Sequence, residues 1–343
     1  MKALVLKDYR RLSVEEVPTP AIGPDDVLVR VRACGICGSD VHGYDGSTGR
    51  RRPPIVMGHE AAGEIAATGI AVSRWKAGDR VTMDSTIFCG HCRHCMRGEF
   101  NLCDERRVLG VSCDAYRRDG AFAEYVAVPE RILHRLPDGL SFEQSAMAEA
   151  VSVAVHAVMN ARLEADAAVA VVGTGMIGLL VVQVLRSHGC RQIIAVDLDD
   201  GRLGLAHRLG ATSVINSGSV SAPAAIAQLT GGRGANAVFE VVGLSSTLAT
   251  ALECVRKRGR IILIGNLQAK VELPLQAVVT REISLIGSCA SSGEYPESLG
   301  LIASGKVNVD AFVSATPPLE EGPAWFERLY AGEKGLMKVV LRP

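Results

Sequence analysis

The chain has 343 residues, 37 basic and 37 acidic side chains, and a formal charge of zero. At roughly 150 residues per domain the length suggests about two domains, and the balanced charge argues against a general nucleic-acid or anionic-membrane binder. Apolar content of 48% excludes wholesale disorder, and ten cysteines leave either disulfides in a secreted protein or thiolates on metal in a reduced one.

Charges interrupt every apolar run of the opening KALVLKDYRRLSVEEV, a pattern no signal or transit peptide fits, so a cytoplasmic, thiol-reduced protein is expected. The first 130 residues read as short strands, such as 27–31 and 63–67, punctuated by Pro, Gly and Asp turns. Within them, ACGICGSDVH and VMGHE supply Cys37, His59 and Glu60. Cys, His and a carboxylate with one open position form the pattern of a catalytic zinc, although spacing alone does not bring Cys37 beside His59. Ser39 and His42 follow Cys37 closely, and a hydroxyl and an imidazole near a metal-bound alcohol can relay its proton. Arg50, Arg51 and Arg52 read as a solvated loop, with a grip on a substrate phosphate as the alternative.

CGHCRHCMRGEFNLC sets Cys89, Cys92, Cys95 and Cys103 at spacings C-x2-C-x2-C-x7-C. Four thiolates this close suit a closed tetrahedral zinc site of structural type. An iron–sulfur cluster is the rival, and disulfides are disfavoured by the reducing compartment. His91 and His94, between the cysteines, read as solvent-facing. The other cysteines, Cys34, Cys113, Cys190, Cys254 and Cys289, default to small buried apolar residues.

Beyond residue 140 the texture changes. Ser141 and Gln144 form a capping box before a helical pattern that runs to Asn160. From 168 to about 288, candidate strands at 169–172, 192–196, 237–241, 260–264 and 283–287 alternate with helical segments, which implies βαβ units and a parallel sheet. The uncharged stretch 167–185 is long enough to raise a membrane span, but its clustered glycines fit a buried strand, a turn and a buried helix better. Gly173-x-Gly175-x-x-Gly178 lies between that strand and helix: the first glycine allows the turn, the second admits a pyrophosphate and the third lets helix pack on strand. Met176 and Ile177 open the helix, whose N-terminal amides face the phosphate. The next strand ends at Asp197, nineteen residues after Gly178, where a carboxylate accepts ribose hydroxyls and repels a 2′-phosphate, favouring NAD over NADP. Arg202 reads either as an adenosine neighbour or as a solvated helix residue. The closing LMKVVL is a strand able to return to the first domain.

CGICGSDVH, MGHEAAGEI, AGDRV, the four-cysteine lobe, DGAFAEYV, GTGMIG and AVDLDDGRL occur in the order found in the zinc-dependent medium-chain alcohol dehydrogenases, and nearly the whole chain resembles that family's polyol branch, of sorbitol and galactitol-phosphate type. The resemblance implies an α/β fold: a β-rich GroES-like catalytic domain over 1–152 and 290–343, and a doubly wound Rossmann domain with a parallel sheet over 153–289. It implies one catalytic and one structural zinc, with NAD as the hydride acceptor. Cys37 and His59 would bind the catalytic zinc with Glu149, Glu60 ligating directly or in exchange with water. Ser39 and then His42 would carry the alcohol's proton. Tyr44 is a candidate substrate contact. The family's usual Pro after that Glu is Ala150 here, and its Arg-aromatic pair for polyol hydroxyls is replaced by Ala290 and Ser291, which speaks against sorbitol itself. The implied partner is a small polyol or secondary alcohol, with neither nucleic acid nor membrane, in a homodimer or homotetramer. A threonine or simple secondary-alcohol or vicinal-diol dehydrogenase shares these motifs, and a non-enzymatic, zinc-stabilised nucleotide-binding redox sensor would need only the lobe and the glycine loop.

Overall fold

Buried and exposed residues alternate along the strand Asp26–Gly35, as expected for a strand with one face on a core. In the computed structural model, which describes residues 1–113, 116–164 and 166–343, this strand pairs antiparallel with Glu60–Thr68, Tyr125–Pro129 and Lys338–Leu341. The closing segment thus returns as a strand to the N-terminal sheet. The full order is Leu133–Arg135, Arg80–Met83, Glu60–Thr68, Asp26–Gly35, Lys338–Leu341, Val313–Ala315, with Tyr125–Pro129 on the central strand. Leu4, Leu6, Val29, Phe122 and Phe326 lie in its core. Chain contacts gather this sheet into one compact unit, Met1–Glu149 with Tyr295–Ala303 and Val309–Pro343.

The second unit is Ala150–Glu294 with Ser304–Asn308. Its six parallel strands run in the order Ser213–Asn216, Gln192–Asp197, Ala168–Val172, Ala235–Glu240, Val255–Leu263, Ser284–Gly287. This is the 3-2-1-4-5-6 order of doubly wound nucleotide-binding sheets. Ala168–Val172 is buried throughout, as a central parallel strand with both faces covered must be. Ser213–Asn216 is the strand the sequence pattern misses. It is four residues long, sits at the edge and mixes buried with exposed positions, so it carries no apolar run.

The Ser141–Gln144 capping box forms, but the helix it opens, Phe142–Ala146, stops at Met147 before a second helix, Ala148–Ala161. Cys34, Cys190 and Cys254 are buried, whereas Cys289 is exposed just beyond the edge strand Ser284–Gly287. The Cys113 side chain lies outside the described residues. No described helix is long and apolar enough to cross a membrane.

Candidate active site

Register brings the first metal set together. Gly35 pairs with Glu60 across two antiparallel strands. Cys37 therefore emerges two residues beyond one end of the ladder, and His59 immediately precedes the partner strand. A Cβ on Gly35 would fall 2.3 Å from Glu60 Oε2, so only glycine admits the carboxylate here. Potential ligand atoms of Cys37, His59 and Glu60 all lie within 4.8 Å of one another. Glu149 is not in that cluster; its Oε1 accepts from the Ser85 hydroxyl at 3.3 Å. Burial raises the Glu149 carboxyl pKa, and the negative charge of Glu60 adds to the rise.

Lys338 and Asp40, which the sequence motifs did not single out, support the cluster, and so does Arg51. Lys338 Nζ donates to Glu60 Oε2 at 2.6 Å and to the Ile36 carbonyl at 3.0 Å, with both charged side chains 1% exposed. Asp40, fully buried, lies 3.4 Å from His59 Nδ1 and accepts from Arg51 Nη2 at 2.9 Å. Burial alone would raise the Asp40 pKa, but the His59 and Arg51 charges override it and hold the carboxyl well below the usual range. Arg51 is only 3% exposed, so the solvated-loop reading fails for it: its second acceptor is Ser39 Oγ, 3.1 Å from Nη2. Arg50 and Arg52 remain exposed.

Cys37 caps the helix Gly38–Tyr44 in a capping box with Asp40, its Sγ accepting from the Ser39 amide at 3.5 Å. Ser39 and His42, one turn apart, are both exposed on this helix. Tyr44 is no substrate contact. It is 2% exposed, packs on Phe326 and Tyr330, and its hydroxyl donates to the Arg10 carbonyl at 2.9 Å and bonds Glu327. The helix turns an aromatic residue at that position into the core.

Fit to a metal is testable on the donor set. Glu60 Oε1 is buried with no hydrogen-bond partner among the described residues. An unpaired buried carboxylate oxygen is costly, and together with a thiol and an imidazole it completes the S/N/O set that zinc accepts.

In the lobe, the four sulfurs of Cys89, Cys92, Cys95 and Cys103 also lie within 4.8 Å of one another, Cys89 and Cys95 at 3.9 Å. Zn–S bonds of about 2.3 Å in a tetrahedron set neighbouring sulfurs roughly 3.8 Å apart, so the cluster has the right size. The amides of Cys89, Cys92, Cys95 and His91 donate to these sulfurs at 3.2–3.5 Å. Burial pushes the Cys95 thiol up to about 12, while amides of Cys95 and Asp104 draw Cys92 down to about 6. Thiols packed so closely ionise together only around a cation. His91 is exposed, but His94 is not solvent-facing: its Nδ1 pairs with Glu99 at 2.8 Å and only 19% of the side chain is exposed.

In the second unit, Gly173 takes φ +95°, and a Cβ on Gly178 would fall 1.9 Å from the Gly173 carbonyl oxygen. Gly175 caps the helix Met176–Ser187 without a side chain, leaving its first amides open, with Met176 and Ile177 half-buried beside them. Asp197 does more than end its strand. Its Oδ2 accepts from the Thr174 amide at 2.6 Å and hydroxyl at 2.9 Å, and its Oδ1 from the amides of Leu198 and Asp199. The carboxylate thereby braces the glycine loop. Arg202 is exposed, its amide donating to the capping Asp199.

Residues 23–138 match the alcohol dehydrogenase GroES-like domain, and residues 177–304 match the zinc-binding dehydrogenase domain. The chain is 35% identical to sorbitol dehydrogenase of Bacillus subtilis over 100% of its length and 97% of the relative. Among solved structures it superposes on galactitol-1-phosphate dehydrogenase of Escherichia coli with TM-score 0.92 at 28% identity, covering all of both chains. It superposes on a protein from Sinorhizobium meliloti, described as a zinc-binding dehydrogenase and bound to NADP, with TM-score 0.91 at 32% identity, covering 100% and 99%. Fold and site together define a zinc- and nicotinamide-dependent dehydrogenase. Within that class the chain belongs to the medium-chain alcohol dehydrogenases, in the polyol branch.

Proposed function

We propose that this enzyme oxidises a secondary hydroxyl of a polyol to a ketone, passing hydride to NAD. The observation that carries the reading is the convergence of Cys37, His59 and Glu60, with an unpartnered Glu60 oxygen, beside the exposed Ser39. Cys37, His59 and Glu60, with Glu149 as the nearby reserve carboxylate, would hold a catalytic zinc, and Cys89, Cys92, Cys95 and Cys103 a structural one. Zinc supplies Lewis acidity that lowers the pKa of a bound hydroxyl, and the nicotinamide ring supplies the hydride acceptor.

The chain's own residues handle the proton. Arg51 donates to Ser39 Oγ and cannot accept. One Ser39 lone pair is thus filled, leaving the other to take the substrate proton and the hydroxyl hydrogen to be passed on toward His42. Asp40 orients His59, as carboxylate partners of zinc-binding histidines do. Gly173, Gly175, Met176, Ile177 and Gly178 would seat the pyrophosphate, and Asp197 would exclude a 2′-phosphate. Arg51 is engaged with Asp40 and Ser39, which removes the central member of the cationic trio that a phosphorylated substrate would need, so a neutral polyol or vicinal diol is favoured.

Thiolate ligands suit the reducing cytoplasm. The exposed Leu267, Val271, Leu273, Leu275 and Val279, close in sequence to the edge strand Ser284–Gly287, suit a homodimer or homotetramer. A panel of neutral polyols, polyol phosphates, vicinal diols and threonine, each with NAD and NADP and zinc-loaded protein, tests the assignment. Turnover of a neutral polyol or diol with NAD is expected. Reduction of neither cofactor by any of them removes it.

A further inference from the structure

A cavity of about 80 Å³ opens at the end of the parallel sheet opposite the glycine loop, lined by Arg162, Glu164, Asn236, Arg256, Arg258 and Arg260. It borders the start of Ala168–Val172, whereas the loop at Gly173 follows that strand's other end. Four residue steps of about 3.3 Å separate the two ends by roughly 13 Å, so this is not the nucleotide site.

The cavity is built by an irregularity. Ala235 pairs with Val255 but Ala237 pairs with Arg260, so residues 256–259 are extruded from the ladder, carrying Arg256, Lys257 and Arg258 outward. Arg258 and Arg162 both adopt left-handed backbones, φ +56° and +45°, where glycine would sit at less cost. The lining is rich in donors. Asn236 Oδ1 is taken by the Ala168 amide, which leaves its NH2 group to donate. Arg260 Nη1 is anchored on the carbonyls of Ala161 and Arg162. Arg256 Nε is buried and finds no acceptor among the described residues. Among the described residues, two carboxylates stand against the four guanidinium groups in ion pairs: Glu164 at 3.7 Å from Arg256 and Glu282 at 3.4 Å from Arg258.

We propose that this arginine cavity binds a tetrahedral oxoanion, an orthophosphate ion or the phosphoryl group of a phosphorylated metabolite. Forked guanidinium donors match phosphate oxygens in pairs, a buried Nε without an acceptor asks for one, and the volume is ample for one such group.

Isothermal titration of the zinc-loaded enzyme, saturated with NAD and held at low ionic strength, tests it with orthophosphate in one arm and glucose 6-phosphate in the other. One saturable site per chain is expected in at least one arm, and the tighter arm identifies the source of the phosphoryl group. Arg256→Ala/Arg258→Ala should weaken it at least tenfold while NAD affinity and turnover stay unchanged. Should the double variant not fold, Arg258→Glu, on an exposed side chain, should give the same tenfold loss. Absence of saturable binding in both arms, or variants that bind like the parent, would overturn the proposal.

Discussion

Glu60 and Lys338 form an ion pair withdrawn from water on both sides. Breaking such a pair from one side leaves a bare buried charge and costs about 3–5 kcal/mol, whereas removing both charges is often neutral. Lys338→Met should therefore lower the urea midpoint strongly, and Lys338→Met/Glu60→Gln should recover most of the loss in stability without restoring turnover, since the carboxylate is needed at the site. A double variant as unstable as the single one would mean that Lys338 matters for packing rather than charge. Arg51 invites the parallel experiment. Arg51→Ala strips Asp40 of its cation and Ser39 of its donor, so stability and kcat should fall together. Arg51→Lys should restore stability in part but kcat less, because one ammonium reproduces the fork poorly; equal recovery of both in the Lys variant would reject a role in orienting Ser39.

Elements show what a sequence can and cannot reveal. The lobe is legible because its four ligands fall within fifteen residues and the spacing itself is the site. Five of the six parallel strands are legible as apolar runs, the edge strand Ser213–Asn216 is not, and the glycine loop is legible as a fixed pattern between strand and helix. Glu60 and Lys338 are 278 residues apart, and only the antiparallel return of the last strand joins them. Nothing in RRRPP distinguishes the buried arginine from its exposed neighbours until the chain folds back onto the helix Gly38–Tyr44.

The short strand Leu133–Arg135 supplies another such case, and one that titrates. His134 stacks on Tyr295 at 4.7 Å, and burial, with the Arg74 charge second, lowers its pKa from 6.5 to about 4. Between those values the unfolded chain binds a proton that the folded chain refuses. The stabilisation is thus complete above pH 6.5 and is lost as pH falls toward 4, by roughly 3 kcal/mol in all. Urea midpoints of His134→Phe should fall less steeply over that range than those of the parent; parallel profiles would mean that His134 titrates normally in the folded state.

At the scale of the whole molecule, every candidate metal ligand lies in Met1–Glu149, and the nucleotide loop lies in Ala150–Glu294. The formal charge of zero ignores the metals: five thiolates and two zinc ions would bring it to 0 − 5 + 4 = −1. Two zinc ions per chain are expected by elemental analysis, and Cys92→Ser should lower the count to one, since three sulfurs leave the closed site incomplete. Ligands that bind only the folded state stabilise the elements they touch, by about 2.7 kcal/mol at a hundredfold excess over Kd. Segment-resolved hydrogen exchange should therefore separate the two dependencies. A chelator should accelerate exchange at 89–103 and in the helix Gly38–Tyr44, whereas NAD should slow it in the helix Met176–Ser187 and at 173–175. Removal of metal that left 89–103 as protected as before would show that the four cysteines hold their loop without an ion. Protection by NAD confined to other segments would detach the glycine loop from the cofactor.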